Sequence, residues 1–168
     1  YGAIISNTLN FKATVTTDRD RKTAAWLNET AKLPEYFWKD LFMAKSDLSG
    51  NKLSERIYGD FNSVTIGQTI IGIAQIEMIG AKKLMDERKR ETLKILNALK
   101  NEKQWDMVFI STIDLEESKN YLLADDPKMQ TLLEKALNIT FNGMIAERKD
   151  VLMRKQIIPL LIDALEYS

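Results

Sequence analysis

The sequence predicts an α/β domain with a mixed sheet of about five strands, helices on the faces of the sheet and a short helical segment before it. Two observations predict this class. Strand-like apolar segments alternate with segments of helical periodicity after residue 60, which is typical of α/β folds. The segment Ala81–Lys103 has apolar residues on one side and charges elsewhere, as expected for a helix packed against a sheet.

The first third of the chain predicts helices rather than strands. Residues 3–12 predict a short buried segment that runs into a loop. Thr17 and Asp20 have the Thr-x-x-Asp spacing of a helix start, and the helix is expected to reach about Lys32 with one face formed by Ala24, Leu27 and Ala31. Pro34 suits the first turn of a following helix, whose apolar stripe would be Phe37, Trp38, Leu41 and Phe42. The polar, glycine-containing stretch 46–51 predicts a boundary, with residues 1–45 on one side and 46–168 on the other.

The remaining chain predicts the strands of the sheet and two further helices. Residues 64–66 and 69–76 indicate a hairpin that turns at Gly67 and Gln68. Residues 69–76 are apolar nearly throughout, so this strand is expected to be central and covered on both faces. Residues 107–110 indicate another buried strand, and 139–141 a short one. Asp126 followed by Pro127 predicts a helix start, and a last helix is expected to contain Leu160, Leu161, Ala164 and Leu165.

Composition excludes several function classes. The chain has 24 basic and 24 acidic residues, and zero net charge argues against nucleic acid or an anionic membrane as its main partner. Without cysteine there is no disulfide or thiolate site, and without histidine the commonest general base and metal ligand are missing. No run of about 18 apolar residues predicts a membrane span. A cytoplasmic protein is expected, and the start at Tyr1 predicts a chain cut before its true beginning.

Two clusters of charged residues are candidate sites. Arg154 and Lys155 precede an apolar helical segment, and a helix N-terminus with two cations can bind a polyphosphate. The same pair also fits an ordinary solvated surface. Asp114, Glu116 and Glu117 follow the 107–110 strand, where they form either a metal-ligand group or, as the favoured alternative, a solvated loop.

Three segments carry a resemblance to a known family. Residues 153–159 (MRKQIIP) match an S-R-K-K-Q-x-x-P motif at Lys155, Gln156 and Pro159, with Arg154 in place of a lysine. Residues 72–76 (GIAQI) are similar to the family's central strand, and residues 4–12 (IISNTLNFK) to the segment that joins its two domains. Over nearly its whole length the chain resembles the type-2 DHH-associated domain of family II inorganic pyrophosphatases and of related exopolyphosphatases.

The resemblance implies a function and a separate role for each of two domains. It implies the phosphate-binding domain of a manganese-dependent enzyme that hydrolyses pyrophosphate to phosphate. Residues 1–45 would be the end of the DHH domain with an interdomain helical segment, and residues 46–168 the C-terminal substrate-binding domain. Arg154 and Lys155 would bind pyrophosphate or polyphosphate. Mn²⁺ or Mg²⁺ would be held by the missing N-terminal DHH domain, so this piece is expected to have no catalytic residue and no metal of its own. A homodimer is also considered.

Three positions depart from the family's pattern. Asn7 occupies the place of an aspartate metal ligand, and its amide oxygen can bind Mn²⁺ without the charge of a carboxylate. Asn62 replaces the phosphate-binding lysine of a D-x-K pattern, and Met153 replaces an arginine. These changes motivate one alternative, a non-catalytic regulatory module that binds a phosphorylated ligand. A second alternative, an exopolyphosphatase domain, also stays open, because the residues do not decide between it and a pyrophosphatase.

Overall fold

The computed structural model describes residues 1–166, which fold into one six-stranded sheet surrounded by helices. The helices of this part of the chain are α1 (Gly2–Asn7), α2 (Asp18–Ala31), α3 (Phe37–Lys45), α4 (Lys52–Gly59), α5 (Ala81–Lys103), α6 (Pro127–Leu137) and α7 (Arg154–Glu166). The strands are β1 (Phe61–Ile66), β2 (Thr69–Met78), β3 (Met107–Asp114), β4 (Lys119–Leu123), β5 (Phe141–Asn142) and β6 (Ile145–Arg148). The predicted α/β class and short helical segment before the sheet are confirmed.

The sheet is mixed, as the sequence predicts, but it has six strands instead of about five. Its order is β1-β2-β3-β4-β6-β5, and β2 and β3 are parallel while every other neighbouring pair is antiparallel. The long helix α5 makes the crossover that a parallel pair requires. The sequence does not indicate β4 or β6. The short strand expected at 139–141 lies slightly later, as β5.

The predicted hairpin and the predicted central strand are both confirmed. Ile66 pairs with Thr69, and Gly67 between them has a φ of 61°, a left-handed conformation that glycine adopts without strain. Residues 71–76 of β2 are buried, because β1 and β3 flank the strand and helices cover both of its faces.

Side chains alternate between two apolar layers, one on each face of the sheet. On one face, Ala74, Ile76, Val108 and Ile110 pack with residues of α4 and α5. On the other face, Ile71, Ile73, Phe109 and Leu122 pack with residues of α6 and α7. Helix α7, which begins with the predicted cation pair, is therefore held by apolar contacts to the second face.

The N-terminal helices form a third apolar cluster at one end of the sheet. Ile5, Leu9 and Phe42 are buried there with Ile113 and Leu115, at and just beyond the end of β3. Residues 3–12 form α1 and a turn, so the expectation of a buried segment running into a loop omitted a helix.

Helix α2 begins as the sequence predicts but packs less tightly than expected. Thr17 and Asp20 form a reciprocal capping box. Only Ala24 of its predicted apolar face is buried, and Trp26 is 62% exposed. Pro34 lies in the turn before α3, not in its first turn. None of the helices in residues 1–166 combines the length and the apolar character needed to cross a membrane.

Candidate functional site

The predicted cation pair forms the first turn of α7. Arg154 is the first residue of that helix, and its side chain is only 22% exposed because it lies against the chain that enters β1. Arg154 Nη1 donates to the carboxylate Oδ1 of Asp60 at 2.8 Å and to the backbone carbonyl of the same residue at 3.2 Å. Lys155 is exposed and has no hydrogen-bond or ion-pair partner within residues 1–166. One cation is thus fixed and the other is free to bind an anion.

Asn62 lies on the same face of the sheet as α7. It is the second residue of β1 and pairs with Ile73, and paired residues of neighbouring strands share a face. Its side chain is exposed, and its Oδ1 accepts from the N–H of Ser63 at 2.8 Å. Asp60, two residues earlier, makes the contact to Arg154. The fold therefore brings the neighbourhoods of Asn62 and Arg154 together, although no hydrogen bond joins these two side chains in the described part of the chain.

Most backbone N–H groups at the start of α7 are already used inside the protein. The N–H of Met153 donates to Gln156 Oε1 at 2.9 Å, and the N–H of Arg154 donates to Gln75 Oε1 at 2.5 Å. Lys155 N–H is the group in this turn for which the structure describes no acceptor. The helix start therefore offers fewer N–H groups to an anion than the sequence predicts. The predicted anion site depends mainly on the two side-chain cations and this single N–H.

Two buried amides attach the segment before α7 to the sheet. Asn120 of β4 is fully buried, and its Nδ2 donates to Ser111 Oγ and to the carbonyl of Leu152, each at 2.7 Å. Its Oδ1 accepts from the N–H of Leu152 at 2.9 Å. Gln75 of β2 makes the second attachment, through Arg154. Sequence reasoning missed both amides, although each is a polar residue inside an otherwise apolar strand, which is a usable signal.

A small cavity opens next to the Asp60–Arg154 ion pair. Its volume is about 340 Å³, and its wall contains Lys45, Glu55, Arg56, Gly59, Asp60 and Glu77. The acidic and basic side chains of this wall nearly balance, so the cavity by itself has no strong preference for an anion. Arg154, Lys155 and Asn62 do not line it.

Asn7, the candidate metal position, is the last residue of α1 and is exposed. Its neighbour Ser6 accepts a hydrogen bond from Lys45 Nζ at 2.5 Å. Among residues 1–166 there is no cluster of three or more His, Cys, Asp or Glu side chains that could hold a metal ion. A manganese site needs several such donors. The donor set of this part of the chain therefore does not fit manganese, and Asn7 could serve only as one ligand of a site completed by other residues.

Asp114, the last residue of β3, has a structural role. Asp114 is 1% exposed, and its two carboxylate oxygens accept from the N–H groups of Ala81, Glu116 and Glu117 at 2.7, 2.9 and 3.0 Å. It thereby closes the turn after β3 and caps the start of α5. Two N–H bonds from the turn and one from a helix N-terminus account for a buried aspartate without a metal.

Glu117, in the same turn, is exposed and hydrogen-bonded to Tyr121. Tyr121 donates to Glu117 Oε2 at 2.7 Å, and this bond lowers the pKa of Glu117. Burial, and then the same bond, raises the pKa of Tyr121. Glu116 pairs with Lys39 at 2.8 Å. These two glutamates agree with the favoured solvated-loop alternative, whereas the buried Asp114 does not.

Comparison with known proteins identifies one matching family and relatives that are named for the same activity. The model of the DHHA2 domain matches residues 39–164. The chain is 33% identical to a manganese-dependent inorganic pyrophosphatase of Methanocaldococcus jannaschii, over 95% of this chain and 52% of the relative. It is 31% identical to that of Bacillus subtilis, over 97% of this chain and 53% of the relative. The chain thus spans about half the length of the curated relatives that it matches.

A solved structure has the same fold. A Methanococcus jannaschii protein assigned as a family II inorganic pyrophosphatase superposes with a TM-score of 0.80 and 29% identity. The superposition covers 98% of this chain and 53% of the other.

Proposed function

This chain belongs to the DHHA2 domain family, and we propose that it is the phosphate-binding domain of a manganese-dependent inorganic pyrophosphatase. Pyrophosphate is the proposed substrate, and Arg154 and Lys155 are the proposed groups that bind its phosphates. The names of the Methanocaldococcus and Bacillus relatives support the activity. The observation that carries the role of this domain is the arrangement at α7, where one cation is fixed against Asp60 and the next is unpaired within the described residues.

The chemistry proposed for these two residues is binding and orientation. Pyrophosphate is a compact polyanion, and guanidinium and ammonium groups form charge-assisted hydrogen bonds with phosphate oxygens. Because Arg154 is only partly exposed, its bonds to phosphate would be less screened by salt than those of Lys155. The two cations would thereby hold the substrate and reduce its negative charge.

The metal chemistry is proposed to belong to residues outside this chain. When bound, manganese ions activate water and stabilise charge on the phosphates. The described residues offer no donor set for such an ion. We propose that a DHH domain present in the full-length protein supplies the ligands, with Asn7 in the position of one family ligand. This accords with the relatives being about twice as long as the chain.

A binding experiment tests the role of the cation pair. Isothermal titration calorimetry of the chain with pyrophosphate is expected to give binding that weakens as salt is raised. Arg154→Ala combined with Lys155→Ala should weaken it at least tenfold, because two charge-assisted bonds are lost. Arg90→Ala combined with Lys94→Ala is the matched control, since it removes two exposed charges from α5 and should change affinity less than twofold. Equal effects of the two double variants would mean that Arg154 and Lys155 are only surface charges.

An activity experiment tests the proposed reaction. The full-length protein is expected to release phosphate from pyrophosphate with Mn²⁺, and the present chain alone is expected to be inactive. An inert full-length protein would remove the catalytic part of the proposal. Activity of the chain alone would show that its own residues perform the chemistry.

A specific observation favours a second candidate, a non-catalytic module that binds a phosphorylated ligand. Asn7, Asn62 and Met153 each lack the charge of the family residue that they replace. This candidate is favoured if the chain binds pyrophosphate while the full-length protein hydrolyses neither pyrophosphate nor tripolyphosphate. Preferential hydrolysis of tripolyphosphate would instead indicate an exopolyphosphatase.

A further inference from the structure

Gln75 is a polar residue in the middle of the most apolar strand. Gln75 is only 4% exposed and lies between Ala74 and Ile76 of β2. Its Oε1 accepts from the backbone N–H of Arg154 at 2.5 Å, and its Nε2 donates to Glu77 Oε1 at 2.7 Å. A buried amide is costly unless both of its groups are bonded. These two bonds therefore explain how glutamine is accommodated in this strand.

Gln75 also completes a closed set of bonds with Asp60 and Arg154. The backbone N–H of Gln75 donates to the carbonyl of Asp60 at 3.1 Å. Arg154 Nη1 donates to the same carbonyl at 3.2 Å and to the Asp60 carboxylate at 2.8 Å. Three residues from separate parts of the fold thus fix one another. Arg154 is held at two points, with its N–H on Gln75 and its guanidinium on Asp60.

The bond to Gln75 fixes the backbone from which the Arg154 side chain extends. Holding this N–H fixes the peptide plane that enters α7, and the helical backbone of Arg154 then sets the Cα–Cβ direction of that residue. Arginine and lysine side chains lose much conformational entropy when they bind a ligand. A helix start that already holds the backbone of Arg154 in place reduces the entropy lost when that side chain binds a phosphate.

We propose that Gln75 is a positioning residue of the phosphate site, which sets through the N–H of Arg154 where the guanidinium of that residue meets the substrate. This inference rests on the proposed function and assigns to it a residue that does not touch the ligand. A purely structural Gln75 would affect stability alone. A positioning Gln75 affects phosphate binding only while Arg154 is present, and this difference can be measured.

The test is a double-mutant cycle read by calorimetry with pyrophosphate. Gln75→Met keeps the length of the side chain and removes the acceptor for Arg154 N–H. We expect its affinity to be about five- to tenfold weaker than that of the unsubstituted chain, the loss for roughly one misplaced charge-assisted bond. In the Arg154→Ala background, the same substitution is expected to change affinity less than about twofold.

Thr112→Val is the matched control for a buried polar substitution in the sheet. Thr112 pairs with Ile76 in β3, and its hydroxyl oxygen is buried without a hydrogen-bond partner among the described residues. Valine has nearly the same shape, so we expect the Thr112→Val chain to fold and to bind pyrophosphate as the unsubstituted chain does. A control that weakened binding as much as Gln75→Met would overturn the proposal.

The remaining outcomes distinguish the positioning role of Gln75 from the proposed phosphate site itself. A folded Gln75→Met chain with unchanged affinity, or with an equal loss in both backgrounds, overturns the positioning role and leaves the phosphate site intact. Absence of pyrophosphate binding by the unsubstituted chain overturns both. If Gln75→Met does not fold, Gln75→Asn replaces it in the cycle, since it keeps a buried amide that is one methylene too short to reach Arg154 N–H.

Discussion

Asp60 holds the Arg154 guanidinium through two different oxygens, its backbone carbonyl and its carboxylate. Only the second of these carries a charge. Asp60 therefore has two opposing effects on an anion that approaches Arg154, because it orients the guanidinium and also cancels part of its charge.

Asp60→Asn separates these effects. Asparagine keeps the carbonyl bond and a side-chain acceptor but removes the negative charge, so we expect pyrophosphate to bind about two- to fivefold more tightly. A unit charge several ångströms away in a well-solvated site contributes roughly 1 kcal/mol. Calorimetry at low and high salt measures this, and the gain should shrink as salt is raised.

Asp163→Asn is the matched control, because it makes the same charge change on α7 about 13 Å along the helix from Arg154. That distance exceeds the screening length of about 8 Å at physiological salt, so affinity should not change. Weaker binding by Asp60→Asn would mean that the carboxylate orients Arg154 more than it opposes the ligand.

Asn120 should be essential to the stability of the α7 attachment. Asn120→Ala leaves Ser111 Oγ and both backbone groups of Leu152 without their amide partner, so we expect a loss of roughly 2–4 kcal/mol in the free energy of unfolding. Urea denaturation measures the loss, and hydrogen exchange should show faster exchange of the Leu152 amide. Ser111→Ala, which removes one of these bonds, should cost less. Equal losses for the two variants would contradict the central role of Asn120.

The sequence predicts the elements that depend on local pattern. The structure gives the predicted bounds of Ala81–Lys103, because that helix has a long amphipathic repeat, and the hairpin at Gly67 follows from its turn residues. Strands β4 and β6 were missed because each is short, and β4 begins with the polar residues Lys119 and Asn120. Their identity as strands depends on pairing with distant segments.

The candidate site was likewise predictable only where it depends on local sequence. Arg154 and Lys155 were recognised from a motif, and they do begin a helix. Their surroundings were not predictable, because Gln75 and Asp60 lie 79 and 94 residues away along the chain. Sequence patterns indicate which face of a strand is buried, but they do not indicate which distant N–H a buried amide will meet.

Gly72 should tolerate no side chain, because the Trp105 ring occupies the space beside it. A Cβ atom at Gly72 would lie 1.9 Å from Trp105 Cε3, far inside van der Waals contact. We expect Gly72→Ala to lower the free energy of unfolding by about 1–3 kcal/mol, since Gly72 and Trp105 are both buried in the packed core. Gly59→Ala is the control, because no described atom beyond its chain neighbours and the adjacent backbone of its own helix lies within 4 Å of its added Cβ. Urea denaturation of both variants measures the difference, and a Gly72→Ala chain as stable as the control would show that the Trp105 ring moves aside at little cost.

The Tyr121–Glu117 bond predicts a pH dependence of stability. The bond lowers the pKa of Glu117, so its contribution is complete above the unfolded-state pKa of about 4.3 and is lost as pH falls through the lower folded-state value. The pKa of Tyr121 is raised, so the tyrosine side of the bond persists below its unfolded value of about 10 and is lost as pH rises further. Between roughly pH 5 and pH 9 the bond should therefore be intact.

Tyr121→Phe tests this dependence. It removes the hydroxyl, so the pKa of Glu117 should rise towards its ordinary value, which carboxyl NMR can follow directly. In urea denaturation the variant should be less stable than the unsubstituted chain near pH 7, and the difference should narrow as the pH falls below 4, because protonated Glu117 no longer benefits from the bond. Tyr58→Phe removes a hydroxyl from an exposed tyrosine and should leave the acid profile unchanged. Parallel acid profiles for Tyr121→Phe and the unsubstituted chain would show that the hydroxyl has no preference for the ionised carboxylate, and the pKa of Glu117 would then have to be lowered by Lys119 instead.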